Sequence, residues 1–429
     1  MTSAVEPLVV AEFDHHTPDF AARWRTILGE LQATCPVARS TRHGGYAVVT
    51  RYDDATAVLR DNTAYSADRS PGGLDVPGGV TIPRNPVRMG MMEMDPPEHT
   101  AYRKLLAPWF SARAVEAWRP RLQHLVDWAL DRVIASGRMD VVDDLAHVLP
   151  GVVTLDLLGL PLDRHAAYGR ALGGAAYYEK GSVHELRAML ADLTELVAAA
   201  RAAGDEASPF LRRLLTAEVG GAPLPDAMIV ELLFMLLNGG FDTSSALIAH
   251  MVLHLDGHPA DRARLLADRR LVPTAVDELL RYYSPATGVA RTALRDGRLG
   301  DDTVREGERI LVAIGAANND PARFDDPETF VLDRSPNPQI SFGSGVHRCI
   351  GAFLATAEMQ VLLERLLDRL PDLTVDRAGV IAYATAPLVH GHRAVPVTFT
   401  PGTRVLPTTP DGLPAPMSTA GAPPAGLDT

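Results

Sequence analysis

Helical spacing of apolar residues dominates this chain, and it appears first over residues 20–34, where an amphipathic helix is predicted. CPVARS and the alternating run GGYAVVTRY then predict a turn into a strand, and DDATAVLRDN a short capped helix. From residue 65 to 94 the periodicity dissolves around two PGG triplets, and so long a structureless stretch is expected to be functional. Asp95, Pro96, Pro97 and Glu98 combine a cap, early prolines and an acid at the third position, which predicts a helix start. A mostly helical region covers residues 112–204, interrupted by the glycine-rich stretch that ends in two tyrosines, Tyr177 and Tyr178. Residues 225–256 give the longest helical pattern, and 350–370 give another; SPATGVART and VIAYATAPLVHGHRAVPVTF predict strands. The expected fold class is mainly α with a small β region. Residues 1–400 are expected to form one domain, and the proline-rich stretch 401–429 a disordered tail, because it cannot bury enough surface to order itself.

Composition narrows the classes. A chain of 429 residues with 46% hydrophobic and 22% charged residues suits one large globular unit. The net charge of −12 argues against nucleic acid as a partner. Only two cysteines occur, Cys35 and Cys349, which excludes a disulfide framework and suits a reducing cytoplasm. The first residues show neither a basic segment nor an apolar run near the ~20 residues of a membrane span, so a soluble protein with no membrane partner is expected.

The chemistry concentrates in ISFGSGVHRCIGAFLA, residues 340–355. Glycines exclude a helix before Cys349, and helical spacing follows it, so Cys349 stands at a helix mouth. Backbone N–H groups, the helix dipole, Arg348 and His347 there favour a thiolate. An anionic sulfur in a loop that glycines let approach a flat partner is what an axial haem ligand requires. The longest helical pattern carries Asn238, Gly239 and Gly240 at its centre, a breach of helix propensity of about 1 kcal/mol per glycine that makes room for something beside the backbone. Asp242 and Thr243 follow. Thr243 reads either as a chemical group or as a residue that bonds back to the Gly239 carbonyl and bends the helix. On helical spacing Met235, Asn238, Gly239 and Asp242 share a face, and the Asn238 amide is expected to hydrogen-bond a polar group of a substrate.

FGSGVHRCIG, with GGFDTS, DPPEHTAYRKL and the ExxR pair Glu278 and Arg281, resembles the cytochrome P450 family of haem-thiolate monooxygenases, in its soluble bacterial form. The resemblance spans residues 35–399 and implies haem b (iron protoporphyrin IX) between the long central helix and the Cys349 loop with its following helix. It implies Cys349 as the iron ligand, with Phe342, His347, Gly351 and Gly239 around the haem and His99, Arg103 and Arg291 on its propionates. Asp242 and Thr243 are implied as the pair that delivers protons to dioxygen. Glu278, Arg281 and Arg334 are implied as the structural trio on the ligand side. Met89, Met91 and Met92 in the loop over the distal face, Ala286 to Val289, and Thr385 to Leu388 are implied against substrate, and Tyr177 and Tyr178 in a lid. Asn319 stands where the family more often has arginine.

The implied reaction inserts one oxygen atom of dioxygen into a small to mid-sized organic molecule. Electrons come from a ferredoxin and its reductase, for which Arg103, Lys104, Arg113 and Arg348 offer a basic docking patch. Three alternatives remain open at the level of sequence: a peroxygenase, an enzyme that couples or rearranges its substrate without net oxygen insertion, and a haem protein without turnover.

Overall fold

Residues 13–176, 182–409 and 412–414 are described in the computed structural model. Thirteen α-helices run through them: α1 Pro18–Thr34, α2 Tyr52–Arg60, α3 Glu98–Leu106, α4 Ala112–Asp131, α5 Leu149–Leu158, α6 His165–Ala176, α7 Ser182–Ala203, α8 Pro209–Leu215, α9 Asp226–Gly257, α10 Pro259–Ala267, α11 Val272–Tyr283, α12 Ile314–Ala317 and α13 Ala352–Arg369. The mainly helical architecture with a small sheet region is as expected. α9 is apolar around most of its circumference and is buried on nearly every side, the form a helix takes at the centre of a large core. By length and composition it could cross a membrane, yet 78% of its apolar window is buried inside the protein. Helices α5, α6, α7, α11 and α13 pack against it.

The five-stranded sheet has the order Val37–Ser40, Tyr46–Val49, Arg309–Val312, Val289–Ala293, Tyr65–Ser66. Its pairs are antiparallel except for the parallel pair of Tyr46–Val49 with Arg309–Val312. Alternate residues point to opposite faces. Ala47, Val49, Ile310 and Val312 pack on α2, while Tyr46, Val48 and Leu311 pack on α1 through Phe20, Trp24 and Leu28. Both faces are covered, so Tyr46–Val49 is buried throughout and shows no polar alternation.

Two expectations are corrected here. Asp95 does not cap α3: Pro97 occupies the N-cap, without a side-chain bond, and the Asp95 carboxylate instead accepts the Ser66 hydroxyl and the Ala67 N–H. The paired prolines carry the chain past Asp95 before the helix begins, and the carboxylate finds donors on the neighbouring strand. The tail is not without order in its first part. Gly402 N–H donates to Ile134 O at 2.9 Å, Val405 and Leu406 N–H donate to the Asp131 carboxylate at 3.0 and 2.8 Å, and Trp128 Nε1 donates to Gly412 O at 3.1 Å. Its backbone donors are captured by a carboxylate at the end of α4, which side-chain composition does not register. Residues 410–411 and 415–429 lie outside the described residues, as do Tyr177 and Tyr178.

Candidate functional site

Two glycines shape the loop before α13. Gly343 and Gly345 have φ of +69° and +73°, and a Cβ on Gly345 would stand 2.4 Å from Leu59 O at the end of α2. Only glycine fits there. The Cys349 N–H donates to Phe342 O at 2.8 Å, and Arg103 Nη2 donates to Arg348 O at 2.7 Å, tying the loop to α3. Gly351 is the N-cap of α13, so Cys349 does precede a helix as expected. The Cys349 side chain is exposed, but it forms part of the wall of an interior cavity, and that cavity is what it faces. Burial pushes the thiol up from its ordinary value, outweighing the Gly351 N–H, Arg103 and Arg348, which pull it down. The loop's own groups do not outweigh burial here, contrary to expectation; a metal bound at the sulfur would add the positive charge that favours a thiolate.

The cavity leaves about 270 Å³ to the centres of water-sized molecules. His99 and Arg103 of α3, Arg291 of the sheet and His347 of the loop stand together on its wall. Arg291 is 4% exposed, and its Nη1 donates to Ala290 O. Burial brings its guanidinium down to about 10, although Asp95 opposes this. His99 Nδ1 and His347 Nε2 are buried without a hydrogen-bond partner, and the two rings lie 4.2 Å apart. Burial first, then the neighbouring Arg103 and Arg291, lowers His99 to about 4; burial, Arg291, His99 and Arg103 lower His347 to about 2. Unpaired buried donors and an uncompensated guanidinium are costly unless something anionic completes them. The donor set, the sulfur and the cavity together fit a flat group bearing carboxylates, as haem b does.

The opposite wall is α9. Met235, Leu236, Gly239, Gly240, Thr243, Ser244 and Leu247 face the cavity at spacings of three and four. The two glycines have different causes. A Cβ on Gly239 would meet nothing within 4 Å, whereas one on Gly240 would stand 2.4 Å from Thr154 Oγ1 of α5. Gly239 opens the cavity; Gly240 admits a neighbouring helix. The Thr243 hydroxyl donates to Gly239 O at 3.0 Å, so the back-bond is made while the residue also lines the cavity.

Asp242 does not line the cavity. It is 8% exposed and faces α6, where a Cβ on Gly173 would lie 3.7 Å from its Oδ1, and burial lifts its carboxyl to about 7. Asn238 is likewise off the wall, which corrects the expected contact with substrate. Successive helical residues turn by about 100°. Only the stripe through 235, 239 and 243, with its neighbours 236, 240 and 244, points inward.

Phe342, Gly351, Met91, Met92, Ala286 and Val289 stand on the wall as expected. Met89 and Thr385 do not. The Met89 N–H is bound to Glu93 Oε2 at 2.9 Å and its side chain is buried in the core. Ala286 pairs with Val389, which brings Pro285 and Ala286 to the cavity and leaves Thr385 beyond it. Glu93, fully buried and bound to Met89 N–H with Arg69 at 3.6 Å, organises the stretch before α3 and was missed, because its burial is set by tertiary packing that its neighbours in sequence do not register. Thr154 and Glu358 on the cavity wall were missed because the packing of helices distant in sequence sets which side chains face the cavity.

Glu278 is the acceptor at the centre of a buried cluster. Arg281 Nε and Nη2 donate to its two oxygens at 2.7 Å each, Arg334 Nε reaches both at 3.1 Å, and Val331 N–H and Asn337 Nδ2 complete it at 2.9 and 3.1 Å. Arg281 also donates to Asn318 O, Pro327 O and Thr329 O, so the cluster binds α11 to the segment that precedes the Cys349 loop. Asn319 accepts from Arg25 at 3.4 Å and donates to Gly315 O, a local contact of its own.

A family model described as Cytochrome P450 matches residues 179–371. Mycinamicin IV hydroxylase/epoxidase of Micromonospora griseorubida is 35% identical to the chain, covering 93% of it and 100% of that protein. Cytochrome P450 monooxygenase PikC of Streptomyces venezuelae is 33% identical, covering 90% and 93% respectively. Among solved structures, Mycobacterium marinum cytochrome P450 CYP268A2 in complex with pseudoionone is similar at a TM-score of 0.82 and 28% identity, covering 92% of this chain and 100% of that one.

Proposed function

The chain belongs to the cytochrome P450 family, a haem b monooxygenase by that membership, and from this premise we propose that it oxygenates a neutral, largely apolar molecule of secondary metabolism with electrons from a ferredoxin. The observation that carries the proposal is the cavity with Cys349 on its wall together with Thr243 and Gly239 of α9 and the four basic groups His99, Arg103, Arg291 and His347. Haem b supplies the reductive activation of dioxygen when its iron is bound by the Cys349 sulfur. The basic groups would hold its propionates, and His99 Nδ1 and His347 Nε2, buried without partners, are available to do so. Gly239 leaves the space above α9 open, and the Thr243 hydroxyl passes protons there. Asp242, neutral below about 7, stores a proton behind it.

Substrate class follows from the rest of the wall. Val80, Met91, Met92, Met235, Ala286 and Val289 offer apolar and adaptable contacts. The relatives' names, a mycinamicin hydroxylase/epoxidase among them, support a mid-sized secondary metabolite. Lys104, Arg113 and Arg348 are exposed cations on a chain of net charge −12, which suits an acidic electron donor. Both cysteines are free thiols, in keeping with a cytoplasmic setting. Residues 1–400 are taken as the one domain that performs the reaction.

Purified protein reduced under carbon monoxide tests the iron ligand, and turnover with a surrogate ferredoxin and reductase under labelled dioxygen tests the reaction. The expected results are the absorption of a thiolate-ligated haem and one labelled oxygen atom in the product. A histidine-type carbon monoxide spectrum, or product without label, overturns the proposal.

A further inference from the structure

His250 is a buried titratable group that the reading above leaves unused. It lies on α9, three residues past Leu247, which stands on the cavity wall. Its ring stacks on Tyr283 of α11, with centroids 4.7 Å apart and planes 14° from parallel, and on His390 at 5.6 Å and 13°. His392 meets it edge-on at 5.1 Å. The His250 Nε2 lies 2.9 Å from His390 O. A carbonyl oxygen only accepts, so Nε2 carries the proton and His250 is the donor. His390 Nε2 in turn donates to Ala21 O of α1 at 2.9 Å, and its Nδ1 is buried without a partner, which suits a ring with one proton. Burial first, then His392 and His390, hold His250 well below the ordinary histidine value; the bond to His390 O opposes this, and Arg25 of α1 adds to the lowering. The ring is therefore neutral at pH 7, with its single proton committed to His390 O.

That proton holds a piece of the cavity in place. Val389 pairs with Ala286 in an isolated bridge rather than a strand ladder. On either side of it, His390 N–H donates to Pro285 O at 2.9 Å and Thr287 N–H to Leu388 O at 3.1 Å. Residues 388–390 thus carry Pro285 and Ala286, both on the cavity wall. A short segment without a ladder takes its place relative to α9 from the few bonds it makes, and His250 supplies one of them from α9 itself. An apolar side chain in the same stack would leave His390 O without this donor. We propose that His250 is a positioning residue that sets where Pro285 and Ala286 stand on the cavity wall, and so which molecules the cavity accepts, by holding the backbone at His390; this deepens the monooxygenase reading and rests on it. His250 does not itself line the cavity, so its effect passes through His390 and the bridge.

Two measurements on the full chain test this. Amide hydrogen exchange at Thr287 and His390 should be about tenfold faster in His250→Phe, which keeps the stacked ring and loses the donor, and near that of the unsubstituted protein in His250→Gln, whose amide restores a donor. On the haem-loaded protein, imidazole and 4-phenylimidazole bind iron through the same kind of ring nitrogen and differ by an apolar ring that needs room in the cavity. The dissociation constant of 4-phenylimidazole should rise about fivefold to tenfold in His250→Phe, with that of imidazole unchanged and His250→Gln close to the unsubstituted protein. If His250→Phe fails to retain haem, His250→Asn, with a donor too short to reach His390 O, carries the same comparison. Unchanged exchange at Thr287 and His390, an unchanged 4-phenylimidazole constant, equal weakening of both ligands, or a loss in His250→Gln as large as in His250→Phe overturns the proposal. A failure of the monooxygenase reading is distinct from all of these: it would show as an unsubstituted chain that binds neither ligand, and the exchange measurement needs no haem ligand at all.

Discussion

Alanine at Gly239 and alanine at Gly240 should move stability in opposite directions, although the residues are adjacent on one helix. Each replacement gains about 1 kcal/mol from helix propensity. At Gly239 nothing within 4 Å opposes the new methyl, so the gain stands. At Gly240 the methyl would sit 2.4 Å from Thr154 Oγ1 and 3.3 Å from its Cγ2. Thr154 cannot yield easily: it is β-branched, and its hydroxyl is bound to Pro150 O at 2.8 Å. Overpacking of this kind costs about 1–3 kcal/mol, so Gly240→Ala should be destabilised by up to about 2 kcal/mol net. Adding Thr154→Ala should relieve the clash and give a coupling of about 1–2 kcal/mol in the double-mutant cycle. Urea denaturation of haem-loaded variants at matched haem content reads this as a shift of midpoint with unchanged slope. Gly239→Ala should in turn weaken carbon monoxide binding to the reduced protein, because its methyl enters the cavity. Equal midpoints for the two alanine variants, or no coupling with Thr154→Ala, would refute the distinct roles given to the two glycines.

Asp242, whose folded value is raised from 3.8 to about 7, is protonated in the folded state and ionised in the unfolded state between those values. Its contribution to stability should therefore fall as pH rises through that window and level off above it; Asp242→Asn should abolish the slope and gain up to about 4 kcal/mol above pH 7, read from denaturation midpoints across pH. Glu278→Ala leaves Arg281 and Arg334 as buried guanidinium groups without a carboxylate, and should cost about 3–5 kcal/mol, with loss of haem on purification. A loss under about 1 kcal/mol in thermal or urea melts would show that the backbone carbonyls around Arg281 suffice.

Much of the site was legible in the chain because it is written in short-range patterns. The glycines around Cys349, the ExxR spacing and the run of helical periods depend on neighbours within a few residues, where backbone geometry dictates what fits. Even there, helical phase misled: Asn238 was assigned to the cavity because it shares a rough face with Gly239, yet the packing of α5 and α6 on α9 sets which stripe points inward.

From the sequence alone came the class of the fold and the central helix, local consequences of spacing and conformational preference, and, through the family resemblance of its loop, Cys349 as the candidate ligand. Tertiary structure alone decided that Gly240 makes room for Thr154, that Asp242 faces α6, that Asp131 gathers the tail's N–H groups, and that Glu358 opens on the cavity without a partner. Burial and partnership depend on residues far apart in the chain, and the energy of a buried polar group is set by what surrounds it, not by its sequence neighbours.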